Sequence, residues 1–217
     1  SEKTIYNTLN STSKYFSKVI IVDANSQDLT IEISKKYKVN IIKSTKGRGP
    51  QLLLGASSVS TDWIFFLHSD TVLEKKNIIE IKKFISNDLN KYKAASFKIK
   101  FNKNNIWSYL LGKVVNIRSK YLKLPYGDQG LLISKDFYRK IGGYTNIPIM
   151  EDVKIIRDIG FRNIKILDSY IITDALRFES QGWLFRPMIN IYCLVLYFLG
   201  YDINTINKIY IRKKHGK

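Results

Sequence analysis

The sequence predicts an α/β fold in which a largely parallel β-sheet lies between two layers of helices. Short apolar runs alternate with stretches of helical periodicity, and the connections between them are short. This alternation favours a parallel sheet that is covered on both faces. The chain has 217 residues, of which 45% are hydrophobic, and this is enough for the core of one domain.

The first half of the chain shows the alternation most regularly. "KVIIVDA" is a short apolar run typical of a buried strand, and "KKNIIEIKKFISN" has isoleucines at helical spacing. Asp28 is placed to cap a helix, and Pro50 falls in the first turn of another, where proline fits. The predicted strands span 18–24, 39–44 and 62–70, and the predicted helices span 28–38, 49–59 and 75–87.

The second half is less regular but still contains recognisable strands and helices. "LPYGDQGLLIS" predicts a turn that leads into a strand, and "MEDVKIIRDIG" predicts a helix with two acidic residues at its start. The further predicted elements are a strand at 94–101, a helix at 105–121, and a strand at 164–173.

An apolar helix is predicted at 183–200, near the C-terminus. Its uninterrupted apolar stretch, 191–199, is about half of the roughly 20 residues that a membrane span needs. We expect this helix to pack on the core or to lie in a membrane interface. The predicted division is a catalytic domain at 1–181 and a C-terminal helical segment at 182–217. A basic tail lies beside the helix and contains Lys208, Arg212, Lys213, Lys214 and Lys217.

The net charge of +18 predicts attraction to anionic partners, including phosphorylated small molecules and anionic membrane surfaces. No zinc-finger spacing or RNA-binding aromatic signature is present, so we expect no specific nucleic-acid partner. Cys193 is the only cysteine, which excludes an internal disulfide. The first twenty residues lack the pattern of a signal peptide. We therefore expect a cytoplasmic protein, either free or peripheral at the inner face of the membrane.

Acidic residues follow two of the predicted strands. Asp23 ends "VIIVD", and Asp70 ends "IFFLHSD". Ligands of open α/β sheets bind outside the carboxyl ends of the strands, so both carboxylates are candidates for a binding site.

Five motifs in order carry a resemblance to a known family: "VIIVDANSQD", "KGRGPQLLLGA", "DWIFFLHSDT", "LPYGDQGLLIS" and "GGYTNIPIMEDV". Together they resemble the family 2 glycosyltransferases of the GT-A fold, and in particular the branch associated with radical-SAM and selenium-domain proteins. The similarity covers nearly the whole chain. It implies a nucleotide-diphosphate-sugar donor, Mn²⁺ or Mg²⁺ as cofactor, and an inverting, hexosyltransferase-like reaction.

The resemblance also implies roles for ten residues. Asp70 matches the last carboxylate of the family's metal motif, with His68 as a possible second ligand, and Asp152 of the Glu151–Asp152 pair matches the catalytic base. A base accepts the proton of the acceptor hydroxyl, and a metal neutralises the charge on the leaving diphosphate. The residues implied for nucleotide and donor binding are Asp23, Asp28, Gly47, Arg48, Asp128 and Arg177.

The chain departs from the family pattern in three places. His68 stands where a first metal-binding carboxylate is usual, and Ala24 replaces a second acidic residue. The sequence opens with "SEKTIYNTLN", which predicts a helix, so the first and central strand of the fold is expected to be absent. A sheet without its central strand leaves backbone groups unpaired, and we expect marginal stability or a compensating contact.

The acceptor is left open between a lipid carrier and a saccharide. Two other functions also remain open at this point. One is a sugar-phosphate nucleotidyltransferase, although "KGRGPQ" is a poor substitute for the glycine-rich phosphate loop that such an enzyme would carry. The other is an inactive nucleotide- or membrane-binding module.

Overall fold

The structure is a computed structural model and describes residues 2–211. The helices are α1 Glu2–Thr12, α2 Thr30–Lys35, α3 Arg48–Ser57, α4 Lys75–Ile85, α5 Ile106–Leu122, α6 Lys135–Lys140, α7 Glu151–Ile159, α8 Leu176–Gln181, α9 Phe185–Phe198 and α10 Ile203–Ile211. The strands are β1 Ile20–Asp23, β2 Asn40–Lys43, β3 Trp63–Phe66, β4 Thr71–Val72, β5 Ala94–Phe101, β6 Leu131–Ser134 and β7 Ile164–Thr173.

The described strands form two separate sheets. β1 and β2 pair in parallel, while the larger sheet has the order β3-β6-β5-β7-β4. In the larger sheet β5 and β7 pair in parallel, and the pairs β3–β6, β5–β6 and β4–β7 are antiparallel. The predicted α/β architecture is confirmed, but the sheet that was expected to be largely parallel is mixed, with one parallel pair among the four pairs of the larger sheet. β4 and β6 are short strands that follow turns, and an antiparallel strand does not need the long crossover that a parallel one requires.

The larger sheet is buried on both faces. Ala94 of β5 and Ile133 of β6 belong to a core shared with α7, α9 and α10. Ala95, which follows Ala94, and Leu132, which precedes Ile133, belong to a second core shared with α4 and α5. Because neighbouring residues of a strand point to opposite faces, helices cover both sides of the sheet, as predicted.

A cavity of about 710 Å³ lies between β1 and β3. It is lined by residues 20–22 of β1, residues 63–66 of β3, and apolar side chains of α1 and α4. No strand within residues 2–211 fills it, so β1 pairs only with β2 and β3 only with β6. The two facing strand edges therefore have no strand partner among residues 2–211.

The predicted strand 62–70 is divided in the structure. β3 ends at Phe66, and a turn follows in which the Thr71 N–H donates to the His68 carbonyl at 3.2 Å. β4 then begins at Thr71. This turn places Asp70 at the edge of the sheet.

The C-terminal helices pack on the main core. Cys193 and Leu196 of α9 and Ile206 of α10 are buried there. No helix in the described part of the chain is long and apolar enough to cross a membrane. Of the predicted basic tail, Lys208 lies on α10, and the other four residues lie outside the described residues.

Candidate active site

Seven of the ten residues predicted for the site line one cavity of about 120 Å³. The cavity lies where the turn after β3 and the end of β7 meet the first residues of α3 and α7. The seven residues are Arg48, His68, Asp70, Asp128, Glu151, Asp152 and Arg177. The 710 Å³ cavity adjoins it, since Arg48, His68 and Asp70 line both.

Three carboxylates in the cavity have an unpartnered oxygen, and two of them, Asp70 and Asp128, lie in turns. Asp70 lies in the turn before β4, and Asp128 lies in a 3-10 turn at Gly127–Gln129. Oδ1 of each is buried and has no hydrogen-bond partner in the described chain. Burial raises the pKa of Asp70, and it raises the pKa of Asp128 to about 6, with further contributions from the charges of Asp152 and Asp70. The charge of Asp70 disfavours ionisation of Asp128, so a cation bound at this site would be favourable.

His68 packs against the turn that carries Asp128. A β-carbon at Gly127 would lie 2.6 Å from His68 Nε2, so only glycine leaves room for the ring. Burial lowers the pKa of His68 to about 3, and the charge of Arg48 lowers it too. The imidazole is therefore neutral at neutral pH, which is the form that can bind a metal. Its Nε2, however, faces the backbone of Gly127.

Two backbone N–H groups fix the Asp152 carboxylate. Gly127 N–H donates to Oδ2 at 3.0 Å, and Val153 N–H donates to Oδ1 at 2.8 Å. Asp152 is the second residue of α7, where the helix dipole favours negative charge. A carboxylate oxygen can accept more than one hydrogen bond, so Asp152 keeps the capacity to accept a proton from a ligand.

Gln129 holds the turn between Asp128 and β6 in place. It is fully buried, and its Nε2 donates to the Phe97 carbonyl at 2.7 Å. Its Oε1 accepts from Ser119 Oγ at 2.7 Å and from Arg118 Nη2 at 3.0 Å. The Arg118 guanidinium also stacks 3.5 Å from the centre of the Tyr126 ring. β5 and α5 therefore position the turn that carries Asp128.

Glu151 is buried beside Arg48. Only 2% of it is exposed, and its Oε1 lies 3.9 Å from Arg48 Nη1, while Oε2 has no partner in the described chain. Burial, and then the charge of Asp152, raise the pKa of Glu151 to about 7 despite Arg48. Met150, just before α7, has a φ of 62°, which is rare for a residue other than glycine and directs both acidic residues into the cavity.

Arginines form the opposite wall. Arg177 Nη1 donates to the Tyr210 hydroxyl at 2.8 Å, and Arg186 Nη1 donates to the Tyr210 carbonyl at 2.9 Å. Both guanidinium groups lie over the Tyr210 ring, 4.6 Å and 3.9 Å from its centre. Burial lowers the pKa of Arg186, and the charge of Arg177 adds to this effect. The cavity thus has an acidic side and a basic side.

Three predicted residues do not line the 120 Å³ cavity. Asp23 accepts hydrogen bonds from the Ser26 N–H and hydroxyl, at 2.9 Å and 2.5 Å, and so closes the turn after β1. Asp28 accepts from the Thr30 N–H at 3.1 Å, but the N-cap residue of α2 is Leu29, one residue after the cap expected from the sequence. Gly47 has a φ of 143° and immediately precedes Arg48. Their proposed contacts with a nucleotide remain predictions.

A sequence model of the family described as "Glycosyl transferase family 2" matches residues 1–142. The chain belongs to glycosyltransferase family 2. A search of curated proteins found no match.

Solved structures share the fold of this family 2 chain. A mannosyltransferase, PcManGT from Pyrobaculum calidifontis, solved with GDP-mannose and Mn²⁺, superimposes with a TM-score of 0.61 at 10% identity, covering 95% of this chain and 63% of its own. Glucosyl-3-phosphoglycerate synthase from Mycobacterium tuberculosis, solved with Mn²⁺, UDP-glucose and glycerol 3-phosphate, gives 0.54 at 13% identity, covering 76% and 65%. The chain therefore spans about two thirds of the length of these proteins, and the likeness establishes the GT-A fold.

The acidic residues of the cavity fit a divalent metal that is bound partly by the protein and partly by the phosphates of a substrate. No group of three or more His, Cys, Asp or Glu side chains in residues 2–211 is arranged to hold a metal ion. The unpartnered oxygens of Asp70 and Asp128 nevertheless provide two hard oxygen donors. Mg²⁺ is commonly bound through one or two carboxylates together with substrate phosphates and water, and this donor set matches that pattern.

The sequence analysis missed several residues of the family 2 site. Tyr210, Arg186 and Asn190 line the cavity from α9 and α10, and Tyr126 lines it beside Asp128. A signal was present for two of them, because Arg186 and Asn190 are polar residues inside the apolar sequence at 183–200. Nothing in the sequence pattern indicated Tyr210.

Proposed function

We propose that this family 2 glycosyltransferase transfers a hexosyl group from a nucleotide-diphosphate donor to an acceptor hydroxyl, with inversion at the anomeric carbon and with a divalent metal. The observation that carries the proposal is the two-sided cavity. Asp70 and Asp128 offer unpartnered oxygens, and Arg48, Arg177, Arg186 and Asp152 line the same cavity.

Asp152 is proposed as the base. Gly127 and Val153 hold its carboxylate with their N–H groups, so the side chain is oriented before an acceptor arrives. It would take the proton of the acceptor hydroxyl as that oxygen attacks the anomeric carbon. Inversion needs a single displacement, so one carboxylate is sufficient. Glu151, the other proposed catalytic residue, would act by holding Arg48 in the cavity.

Asp70, with His68 and Asp128 as candidate partners, is proposed to hold Mn²⁺ or Mg²⁺. When bound, the metal would neutralise charge on the diphosphate leaving group. The positive charges of Arg48 and Arg177 would also stabilise the diphosphate. Preorganised charges of this kind provide a large part of the transition-state stabilisation in enzymes. Asp23, Asp28 and Gly47 are proposed to contact the nucleoside side of the donor.

A thermal-shift panel tests the donor and metal assignments. UDP, GDP, CDP, ADP and dTDP are each added with Mn²⁺, with Mg²⁺ and without metal, to the wild type and to Asp70→Ala. A ligand present at 100 times its dissociation constant contributes about 2.7 kcal/mol, which is enough to raise the melting temperature visibly. We expect a metal-dependent rise with one nucleotide that Asp70→Ala abolishes. No rise with any nucleotide would contradict the proposal.

The reaction itself separates the remaining functions. Release of a nucleoside diphosphate from the donor that depends on Asp152 supports the transferase, whereas release of pyrophosphate would indicate a nucleotidyltransferase. Proton NMR of the glycoside product reports the anomeric configuration, and retention would contradict a single displacement. Activity that survives in Asp152→Asn would exclude Asp152 as the base.

Peripheral binding to an anionic membrane is proposed from α9. Met188, Ile191, Val195 and Phe198 recur at helical spacing and are 48–67% exposed, so they form one outward apolar face. The net charge of +18 would add attraction to anionic headgroups. Sedimentation with phosphatidylserine-containing vesicles, but not with the variant Ile191→Glu, is the expected result. Leu89→Glu, which changes an exposed leucine elsewhere, is the control.

Three finer assignments are also proposals. The five ordered motifs support membership of the radical-SAM and selenium-domain branch. The boundary between a catalytic domain at 1–181 and a C-terminal segment at 182–217 is supported by the end of α8 at Gln181. The acceptor is proposed to be lipid-linked or a saccharide, and the location to be the cytoplasm or the inner face of the membrane.

A further inference from the structure

We propose that Arg186, with Asn190, forms a phosphate subsite on the C-terminal wall of the cavity, and that the phosphate belongs to the acceptor. This inference rests on the proposed glycosyltransferase function and specifies the class of its second substrate. An acceptor of this class carries a phosphate group near the hydroxyl that attacks.

The main observation is a buried arginine without an anionic partner. Arg186 is 1% exposed, and no carboxylate within residues 2–211 forms an ion pair with it. Charged side chains are rarely buried to this degree unless they are paired, because removing an unpaired charge from water is costly. The charge of Arg177 acts on Arg186 and repels it.

The structural contacts of Arg186 use only one edge of its guanidinium group. Nη1 donates to the Tyr210 carbonyl at 2.9 Å and ties α9 to α10. Nε and Nη2 are buried and have no partner in the described chain. These two nitrogens form the side edge of the guanidinium, where parallel N–H groups match two oxygens of a phosphate or carboxylate. The contact that joins α9 to α10 therefore leaves Nε and Nη2 without a partner, and a phosphate would accept hydrogen bonds from both.

The side chain of Asn190 indicates that the ligand has a hydroxyl group in addition to its phosphate. It lies four residues after Arg186 on α9, which places both side chains on the same face of the helix. Its Oδ1 is buried, lines the cavity and has no partner among the described residues. This oxygen accepts hydrogen bonds, so it suits a hydroxyl beside a phosphate.

The position of the subsite in the chain favours the acceptor over the donor. The family model ends at residue 142, and the matched part contains Asp23, Arg48, Asp70 and Asp128, which are proposed for donor and metal. Arg186, Asn190 and Tyr210 all lie beyond it, as does Arg177, which is proposed for the donor diphosphate. Most of the proposed donor residues thus lie in the part that family members have in common, and the phosphate subsite lies outside it.

Titration with inorganic phosphate tests the subsite on the full chain. The first arm contains no nucleotide and no metal, so it reports the subsite even if the nucleotide panel fails. We expect the wild type to bind phosphate and Arg186→Met to bind it at least about tenfold more weakly, since charge-assisted hydrogen bonds are lost. Arg162→Met, which removes an exposed arginine, should bind as the wild type does. Equal affinity in the wild type and in Arg186→Met would overturn the subsite.

A second arm distinguishes the acceptor from the donor. Phosphate is titrated in the presence of Mg²⁺ and a saturating concentration of the nucleoside diphosphate that gives the melting shift in the thermal-shift panel. Phosphate that still binds, together with unchanged nucleotide affinity in Arg186→Met, assigns the subsite to the acceptor. Competition between phosphate and nucleotide, with nucleotide affinity reduced in Arg186→Met, would assign it to the donor and overturn the proposal.

Two further variants keep the test valid if Arg186→Met does not fold. Asn190→Asp changes no packing volume and places a negative charge beside the phosphate, so it should weaken phosphate binding. Arg186→Lys keeps the charge and loses the paired N–H edge, so it should bind with intermediate affinity. Unchanged phosphate binding in both variants would overturn the proposal.

Discussion

Replacing Glu151 by glutamine should stabilise the chain at alkaline pH. The carboxyl group has an ordinary pKa of 4.5 and a pKa of about 7 in the folded chain, because burial and the neighbouring Asp152 disfavour its charge. One pKa unit corresponds to 1.36 kcal/mol, so the charged form costs the folded state about 3 kcal/mol more than it costs the unfolded state. Glutamine has a similar shape and carries no charge, so it removes this cost.

The sign follows from the protons that each state binds. Between about pH 4.5 and pH 7 the folded chain keeps a proton on Glu151 that the unfolded chain has released. The free energy of unfolding therefore falls as pH rises through this window, and the loss is complete above pH 7. In Glu151→Gln this fall is absent. The difference between variant and wild type should move by about 3 kcal/mol in favour of the variant from pH 4.5 to pH 8.

Urea unfolding at pH 4.5 and pH 8 measures this difference. Glu32→Gln is the matched control, because Glu32 is exposed on α2 and its replacement should give the same difference at both pH values. The reasoning would be refuted if Glu151→Gln lost stability more strongly at pH 8 than at pH 4.5. That result would mean that the 3.9 Å contact with Arg48 holds Glu151 in its charged form.

Three further predictions concern the glycine contacts, the Gln129 hydrogen bonds and the metal site. Gly49→Ala would place a β-carbon 2.4 Å from the Thr145 carbonyl oxygen, and it should lower the free energy of unfolding by about 1–3 kcal/mol in urea unfolding, whereas Gly112→Ala, with its nearest atom at 3.8 Å, should not destabilise α5. Gln129→Leu should cost about 2–4 kcal/mol because it leaves the Phe97 carbonyl and Arg118 without their buried partner, and a loss below 1 kcal/mol would contradict this. The metal-dependent melting shift should weaken below about pH 6 as Asp128 is protonated, and Asp128→Asn should remove the part of this pH dependence that Asp128 causes.

The sequence and the structure agree where the signal is local. Apolar runs with β-forming residues predicted the strands at 18–24, 39–44, 94–101 and 164–173, and each contains a strand of the structure. The helix at 75–87 was predicted from isoleucine spacing, and Ile78 and Ile81 are buried on α4. Periodicity is a property of neighbouring residues, so a single chain is enough to show it.

Helix α5 shows where the sequence pattern fails. The sequence places five residues on one helical stripe that resembles a core-facing side: Trp107, Leu110, Leu111, Val114 and Arg118. In the structure Leu111 packs against the core, but Trp107, Leu110 and Val114 are 45–60% exposed. The side that packs on β5 carries small residues, including Gly112, and the Asn116 side chain bonds both backbone groups of Ile99, at 2.8 Å and 2.9 Å. Close approach to a backbone selects small and polar side chains, and hydrophobic periodicity cannot reveal this.

The sequence by itself determined the α/β class, the family, and the residue types at the carboxyl ends of the strands, because these depend on short-range pattern and ordered motifs. Only the tertiary structure decided which of those residues meet. It joined Arg48, Asp70, Asp128 and Asp152 in one cavity while Asp23 closes its own turn, and it raised the pKa of Glu151 through burial. It also brought Arg186 and Tyr210 to the same place from helices that show no functional motif. Burial and proximity depend on packing between segments far apart in the chain, and that information appears only when the chain is folded.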